Sequence, residues 1–172
     1  MTIAIIDDHK LLGQTLKLLL ENNLDKTDIR VYSEANVFLK EPFTDWKPDL
    51  VIVDFFMPGM NAIEMITVVQ PRLPEAKFII LTSLSDTAMI REAFRIGISG
   101  YVTKDAADIE LLEAIETVMK GGKYINLSMK DKLVNNIFSD QNEEYRLSPR
   151  EEEVLKKYVR EIRQKKLLIK WA

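Results

Sequence analysis

The chain contains no cysteine, a single histidine, and only 6 glycines and 6 prolines among its 172 residues. Without cysteine there can be no disulfide, no cysteine-ligated metal and no thiol nucleophile. The longest apolar runs are only a few residues long, which excludes a membrane-spanning helix from the sequence. The N-terminal segment becomes acidic at Asp7 and lacks the basic start of a signal peptide, so we expect a cytoplasmic protein.

The net charge of −3 is unevenly distributed along the chain. Residues 1–122 carry 12 basic and 19 acidic side chains, whereas residues 123–172 carry 12 basic and 8 acidic ones. An acidic N-terminal unit joined to a basic C-terminal one suggests a control domain and a segment that meets an anionic partner. A solvated helix face would explain the basic charge equally well.

The first 122 residues alternate short apolar runs with segments of helical periodicity. Runs that are apolar throughout are typical of strands buried on both faces of a parallel sheet. The apolar runs cover residues 3–6, 29–32, 50–53, 78–81 and 101–102. Glycine follows two of the helical segments, at Gly97 and at Gly121 and Gly122, and Pro71 and Pro74 close another. The pattern predicts an α/β fold with a doubly wound, five-stranded parallel sheet.

Beyond residue 122 the pattern becomes mostly helical. Ser128 and Asp131 fit a capping box at the start of a short helix, within a linker predicted over residues 123–146. Ser148 and Pro149 then fit the start of a further helix in a segment of residues 147–172.

Acidic side chains follow two strands that we expect to be neighbours. In a sheet of order 2-1-3-4-5, Asp7 and Asp8 after the first strand share a crevice with Asp54 after the third. Three carboxylates together repel one another, and Mg²⁺ relieves that repulsion. Thr82 and Lys104 follow the fourth and fifth strands, where a hydroxyl and an ammonium can bind phosphoryl oxygens. The set therefore predicts an aspartyl-phosphate site.

These residues resemble the receiver domain of two-component response regulators, which has a flavodoxin-like fold. The matching motifs are Asp7-Asp8, Asp54-Phe-Phe-Met-Pro-Gly-Met, Leu81-Thr82 and Tyr101-Val-Thr-Lys104. Asp7-Asp8-His9 and Lys104-Asp105 resemble the NarL/FixJ, or LuxR-type, branch of that family.

The resemblance implies a role for each motif position. Asp54 would accept a phosphoryl group from a sensor histidine kinase, and Thr82 and Lys104 would contact that group. Tyr101 would turn inward when Thr82 is pulled toward the phosphoryl group. Mg²⁺ would be held by Asp8 and Asp54 directly, by Asp7 through water, and by the Phe56 backbone carbonyl.

Three further expectations concern the surroundings of this site. We interpret His9 as a local feature of its loop, not as a metal ligand, because the chain has no partner histidine or cysteine. Phe56 and Leu84 border the acyl phosphate and are predicted to hinder an attacking water. The resemblance also implies a homodimer formed on phosphorylation, with the helix at residues 109–119 as the candidate contact.

The segment that starts with Leu147-Ser-Pro-Arg-Glu resembles the first helix of a LuxR-type helix-turn-helix domain. Residues 150–172 contain no glycine, proline, serine, threonine, asparagine or aspartate, so nothing marks the turn that must precede a recognition helix. The domain is therefore predicted to be incomplete, DNA binding by this chain is doubtful, and no DNA-binding residues are assigned.

Two other classes of function compete with a transcriptional response regulator. A receiver-only module would act as a phosphate sink or bind a protein partner, and would lack sequence-specific DNA binding. An enzyme on the same scaffold is disfavoured: a haloacid dehalogenase-type phosphohydrolase needs an aspartate where this chain has Phe56. A flavodoxin needs a phosphate loop after the first strand, where this chain has Asp7 and Asp8.

Overall fold

The structure, a computed structural model, describes residues 1–83, 86–130 and 132. Within these residues, six parallel strands form one sheet in the order β2-β1-β3-β4-β5-β6. The strands are β1 (Thr2–Ile6), β2 (Asp28–Tyr32), β3 (Leu50–Asp54), β4 (Lys77–Thr82), β5 (Gly100–Thr103) and β6 (Tyr124–Ile125). The helices are α1 (Lys10–Asn23), α2 (Ala35–Leu39), α3 (Ala62–Val69), α4 (Thr87–Arg95) and α5 (Asp108–Met119), with a 3₁₀ turn at Gln70–Arg72.

The sheet is covered on both faces by helices. One core cluster joins alternate strand residues to the apolar sides of α2, α3 and α4, and the second joins the opposite strand residues to α1 and α5. All five residues of β3 are buried, which explains why its sequence is apolar up to its last residue, Asp54. The flavodoxin-like doubly wound fold and the order 2-1-3-4-5 predicted from the sequence are confirmed.

Helix ends follow the local chemistry of the sequence. Asn61 and Glu64 form a capping box at the start of α3, and the Asp86 carboxylate accepts a hydrogen bond from the Ala88 amide at the start of α4. Gly97 and Gly121 have φ angles of +100° and +85°, so each ends a helix in the left-handed region that favours glycine.

The sequence prediction missed the sixth strand. Residues Tyr124 and Ile125 pair with Gly100 and Tyr101, so within the described residues the sheet continues past residue 122. Two residues give no apolar run, which is why periodicity did not reveal them.

The helix that we expected Ser128 to cap starts earlier. Residues 127–130 are helical, and the Asn126 carbonyl accepts hydrogen bonds from the amides of Met129 and Lys130. Ser128 therefore lies inside the first turn, and its prediction as the cap is wrong.

The domain boundaries predicted at residues 122 and 146 stay predictions. Residues 133–146 of the linker predicted over residues 123–146, and the whole segment predicted over residues 147–172, lie outside the described residues. In the part of the chain that is described, no helix has the length and hydropathy needed to cross a bilayer.

Candidate phosphoacceptor site

The predicted site residues lie at the carboxyl edge of the sheet, at the ends of four adjacent strands. Asp7 follows β1, Asp54 ends β3, Thr82 ends β4 and Lys104 follows β5. Parallel pairing places these four ends side by side, because β1 pairs with β3, β3 with β4 and β4 with β5. The crevice that the strand order predicts is present.

Lys104 links the carboxylates of the first and third strands. Its Nζ lies 2.8 Å from Asp7 Oδ2 and 2.8 Å from Asp54 Oδ2. The Asp7 and Asp54 side chains are only 1% and 5% exposed, so this charge cluster is shielded from water. Burial of such charges is costly unless they are paired with good geometry, and Lys104 provides that pairing.

The negative charge of the cluster is not fully compensated. Burial raises the pKa of Asp54 above its usual range, and the nearby Asp7 carboxylate adds to the increase, although Lys104 and the Phe56 amide act against it. Burial alone would lower the pKa of Lys104, but the hydrogen bonds and charges of Asp54 and Asp7 outweigh it and raise that pKa. Among the described residues, no other lysine or arginine forms an ion pair with either carboxylate. The site therefore keeps an excess of negative charge.

Asp8 and His9 complete the acidic side of the crevice. The His9 amide donates to Asp7 Oδ1 at 2.8 Å, and His9 Nδ1 lies 2.9 Å from Asp8 Oδ1 and 3.3 Å from Asp7 Oδ1. His9 occupies the N-cap position of α1, where the chain turns from β1 into the helix. The His9 ring thus lies beside both carboxylates within its own loop, and its predicted exclusion from the metal ligands stays a prediction.

The donor set fits a divalent cation. One candidate ligand atom from each of Asp7, Asp8, His9 and Asp54 lies within 4.8 Å of all the others. Asp8 Oδ1 is buried from solvent and accepts no hydrogen bond of good geometry from the described residues. A buried carboxylate oxygen that accepts no hydrogen bond, in a site with surplus negative charge, is suited to a hard cation such as Mg²⁺.

Thr82 and Tyr101 occupy the side of the site next to α4. Both are fully buried, and Tyr101 belongs to the core cluster that includes Ile90 and Ala93 of α4. Burial raises the pKa of Tyr101 to about 12. The nearby Thr82 hydroxyl acts to lower that pKa, and the negative charge of Asp86 raises it further. The Tyr101 hydroxyl has no partner with hydrogen-bond geometry among the described residues, so Thr82 is its neighbour but not a well-aligned acceptor. The aromatic ring is thus in the inward position.

Phe56 lies at the mouth of the site. Its amide donates to Asp54 Oδ1 at 3.3 Å. Its side chain is 44% exposed, and the centre of its ring lies 4.8 Å from the centre of the Phe55 ring. The position agrees with a side chain that borders Asp54. The predicted contribution of its carbonyl to a metal site stays a prediction, and Leu84 lies outside the described residues.

The family profile, the related sequences and the similar structures all come from response regulators. Residues 3–116 match the family profile described as response regulator receiver domain. The oxygen regulatory protein NreC of Staphylococcus aureus is 30% identical over 145 residues, which is 84% of this chain and 66% of that protein. The chain thus spans about two thirds of that relative's length.

Two solved structures share the fold. A LuxR-family two-component response regulator from Aurantimonas sp. SI85-9A1 superposes with a TM-score of 0.73 at 24% identity, covering 80% of this chain and 98% of that one. The RcsB response regulator of Salmonella typhimurium, in a structure concerned with DNA interaction, gives a TM-score of 0.73 at 24% identity, with 92% and 76% covered.

Proposed function

Because this chain belongs to the response regulator receiver domain family, we propose that Asp54 is its phosphoacceptor. The observation that carries the proposal is the shared ammonium: Lys104 Nζ lies 2.8 Å from the carboxylates of both Asp7 and Asp54. This geometry holds Asp54 beside a positive charge while leaving surplus negative charge for a metal. Asp54 is also the carboxylate whose pKa burial raises, as is common for residues at functional sites.

The proposed reaction is an in-line phosphoryl transfer. A carboxylate oxygen of Asp54 attacks phosphorus, and the bond between phosphorus and the donor's nitrogen or oxygen breaks. The leaving group keeps the electron pair of that bond and takes up a proton, and Asp54 becomes an acyl phosphate. Lys104 moves from two carboxylates toward the new phosphoryl oxygens, where its charge stabilises the transition state. The chain's own catalysis is limited to this transfer and to the later hydrolysis.

Asp8 and Asp54 carboxylates and the Phe56 carbonyl would hold Mg²⁺, with Asp7 acting through water. A metal bound there would supply charge neutralisation for the phosphoryl oxygens. The buried, hydrogen-bond-free Oδ1 of Asp8 and the 4.8 Å cluster support this assignment.

The Thr82 and Tyr101 pair is proposed as the switch. Phosphorylation adds close to two negative charges and strong acceptors beside Thr82. The inward, fully buried Tyr101 ring, packed in the same core cluster as α4, is suited to report a shift of Thr82 to that helix.

A labelling experiment tests the phosphoacceptor. The chain is incubated with Mg²⁺ and a radiolabelled small phosphodonor, and hydroxylamine lability distinguishes an aspartyl phosphate from a phosphate on serine or threonine. We expect Asp54→Asn to abolish labelling. The matched control is Asp49→Asn, which changes the aspartate at the other end of the same strand and should label fully. Full labelling of Asp54→Asn would show that the site is wrongly assigned.

The partners follow from the same proposal. We propose a sensor histidine kinase as the phosphodonor, with the cytoplasm as the place of transfer. Homodimerisation on phosphorylation through α5 is supported by the exposed apolar side chain of Ile109, which is 61% exposed. Equilibrium sedimentation with and without a beryllofluoride phosphoryl mimic tests it, and an unchanged mass would refute it.

DNA binding separates the regulator from a receiver-only module. RcsB has been solved in a DNA complex, but the helix-turn-helix start predicted at residue 147 lies outside the described residues. Selection from a random duplex pool, with beryllofluoride and Mg²⁺ present, distinguishes the two. An enriched inverted repeat would establish a transcriptional regulator, and salt-sensitive retention without a consensus would establish the receiver-only function.

A further inference from the structure

A row of polar side chains runs along the carboxyl edge of the sheet, away from the acidic site. Thr82 of β4 is the register partner of Thr103 of β5. The next polar side chain is Asn126, which directly follows β6 and is only 2% exposed. Its Nδ2 donates a hydrogen bond to Thr103 Oγ1 at 3.0 Å. The row thus leads from Thr82, which is predicted to contact the phosphoryl group, to β6 at the edge of the sheet.

Thr103 is the residue from which Lys104 leaves the sheet. The Lys104 amide donates to the Thr82 carbonyl at 2.7 Å, which fixes the backbone at this point. The side chain of Lys104 then reaches Asp7 and Asp54. A hydrogen bond that holds the Thr103 side chain therefore restrains the backbone from which the Lys104 side chain extends.

Asn126 is buried for a reason other than packing. Burying an amide costs free energy unless its groups are hydrogen-bonded, so an apolar residue would be favoured at a position that only fills space. Its Nδ2 also donates to Ser128 Oγ at 3.0 Å, and its backbone carbonyl accepts from the amides of Met129 and Lys130. The side-chain Oδ1 is buried and accepts no hydrogen bond from the described residues, so the two Nδ2 bonds alone hold the amide in place. The same residue thus contacts the site-bearing strand and starts the helical turn at residues 127–130.

That turn is attached to the switch side of the sheet. Met129 is fully buried in the core cluster that contains Tyr101, Ile90 and Ala93. The Lys123 ammonium lies 5.5 Å from the centre of the Phe94 ring on α4. The turn is therefore held by the elements that flank the Thr82 and Tyr101 pair.

We propose that Asn126 is a positioning residue for Lys104, acting through Thr103, and that it couples the state of the phosphoacceptor site to the helical turn at residues 127–130. The inference rests on the proposed function of Asp54 and Lys104. Coupling between two sites is reciprocal: if phosphorylation changes the hydrogen bond between Thr103 and Asn126, loss of that bond must change the affinity for a phosphoryl group.

The test uses the full chain and beryllofluoride with Mg²⁺ as the probe. Affinity is measured by isothermal titration calorimetry for wild type, Thr103→Val, Asn126→Ala and the double variant. We expect each single variant to weaken binding by roughly fivefold or more, the lower end of typical coupling between sites. The double variant should be no weaker than the weaker single one, because both changes remove the same bond. Thr103→Ser keeps the acceptor oxygen and should bind as wild type does.

Ser128→Ala is the matched control, because it removes the other acceptor of Asn126 Nδ2 without touching β5. It should leave beryllofluoride affinity unchanged. A second readout is amide hydrogen exchange at Met129 and Lys130. Beryllofluoride should slow it in wild type and Thr103→Ser but not in Thr103→Val, and thermal unfolding confirms that each variant is folded.

The outcomes separate the inference from its premise. If wild type binds no beryllofluoride, the proposed function fails and the inference fails with it. If wild type binds and the Thr103 and Asn126 variants bind equally well, the inference alone is overturned. Fold-changes that multiply in the double variant would likewise overturn a path through Thr103, since independent effects add in free energy.

Discussion

Two aspartates stand at opposite ends of β3, and their surroundings differ completely. Asp49, just before the strand, is exposed, and its Oδ2 accepts hydrogen bonds from the Thr2 amide at 2.7 Å and the Thr2 hydroxyl at 2.9 Å. Asp54, the last residue of the strand, is buried and shares Lys104 with Asp7. One carboxylate is exposed and accepts hydrogen bonds from neutral donors, and the other belongs to a buried cluster with excess negative charge.

The difference shows what makes an aspartate chemically useful. Neutral donors at the amino end hold Asp49 as a structural brace between β1 and β3. At the carboxyl end, burial and a second carboxylate leave Asp54 with negative charge that a further cation would compensate, and the proposed binding of metal and phosphoryl group rests on this property. The experiments below test this contrast, starting with the largest expected effect.

Lys104→Ala should affect only the carboxyl end. Removing the ammonium takes away the positive charge that stabilises the transferring phosphoryl group, so labelling by a small phosphodonor should slow by about 100-fold, as for loss of one electrostatic stabiliser. The control is Lys47→Ala, which changes a lysine that precedes the amino end of β3. Initial labelling rates compare the two variants, and equal rates would contradict the role given to Lys104.

Asp8→Asn should remove most of the stabilisation that Mg²⁺ gives. A ligand that binds only the folded state raises the free energy of unfolding by about 2.7 kcal/mol at a hundredfold excess over its Kd. We therefore expect added Mg²⁺ to raise the Tm of wild type and of Asp49→Asn, but to raise that of Asp8→Asn much less. Thermal unfolding across a magnesium series measures this, and an equal response in Asp8→Asn would refute its role as a ligand.

Phe56→Asn should shorten the lifetime of the acyl phosphate. The exposed ring borders Asp54, and a polar replacement admits and orients an attacking water. Loss of label after removal of the donor should be several times faster than in wild type. Val37→Asn, which changes a side chain of similar exposure on α2, serves as control. The idea fails if Phe56→Asn decays at the wild-type rate.

Asp49→Ala should have the smallest effect, and on stability alone. Loss of the acceptor for the Thr2 amide and hydroxyl should lower the free energy of unfolding by about 1 kcal/mol. Urea denaturation measures the loss, and Asp49→Asn, which keeps an acceptor oxygen, should recover most of it. A labelling defect in Asp49→Ala would break the contrast between the two ends of β3.

The sequence was sufficient for the features that depend on strand order. Uninterrupted apolar runs identified β1 and β3 as buried strands, and the chemistry at their ends then followed from which strands are neighbours. The placement of Asp7, Asp54, Thr82 and Lys104 at one edge is of this kind. It depends on topology and not on the details of side-chain conformation.

The features that the sequence did not reveal depend on short segments and side-chain direction. Nothing in the sequence shows that the His9 ring turns toward Asp7 and Asp8 instead of toward solvent. Asn126 was overlooked in favour of Ser128, although asparagine is a strong residue for the position before a helix. Its hydrogen bond to Thr103 depends on the pairing of β5 with β6. A strand of two residues is too short for its sequence pattern to predict that pairing.

The short strand β6 has a consequence for handling the protein. An uncovered strand offers a row of backbone donors and acceptors on which other chains can pair and aggregate. Tyr124 and Ile125 cover Gly100 and Tyr101 on that side of β5, and the Tyr124 amide donates to the Ser99 carbonyl. A fragment cut at residue 122 would lack β6 and would expose the backbone edge of β5 at Gly100 and Tyr101. A fragment that ends after residue 130 would keep that edge covered and should remain monodisperse at higher concentration.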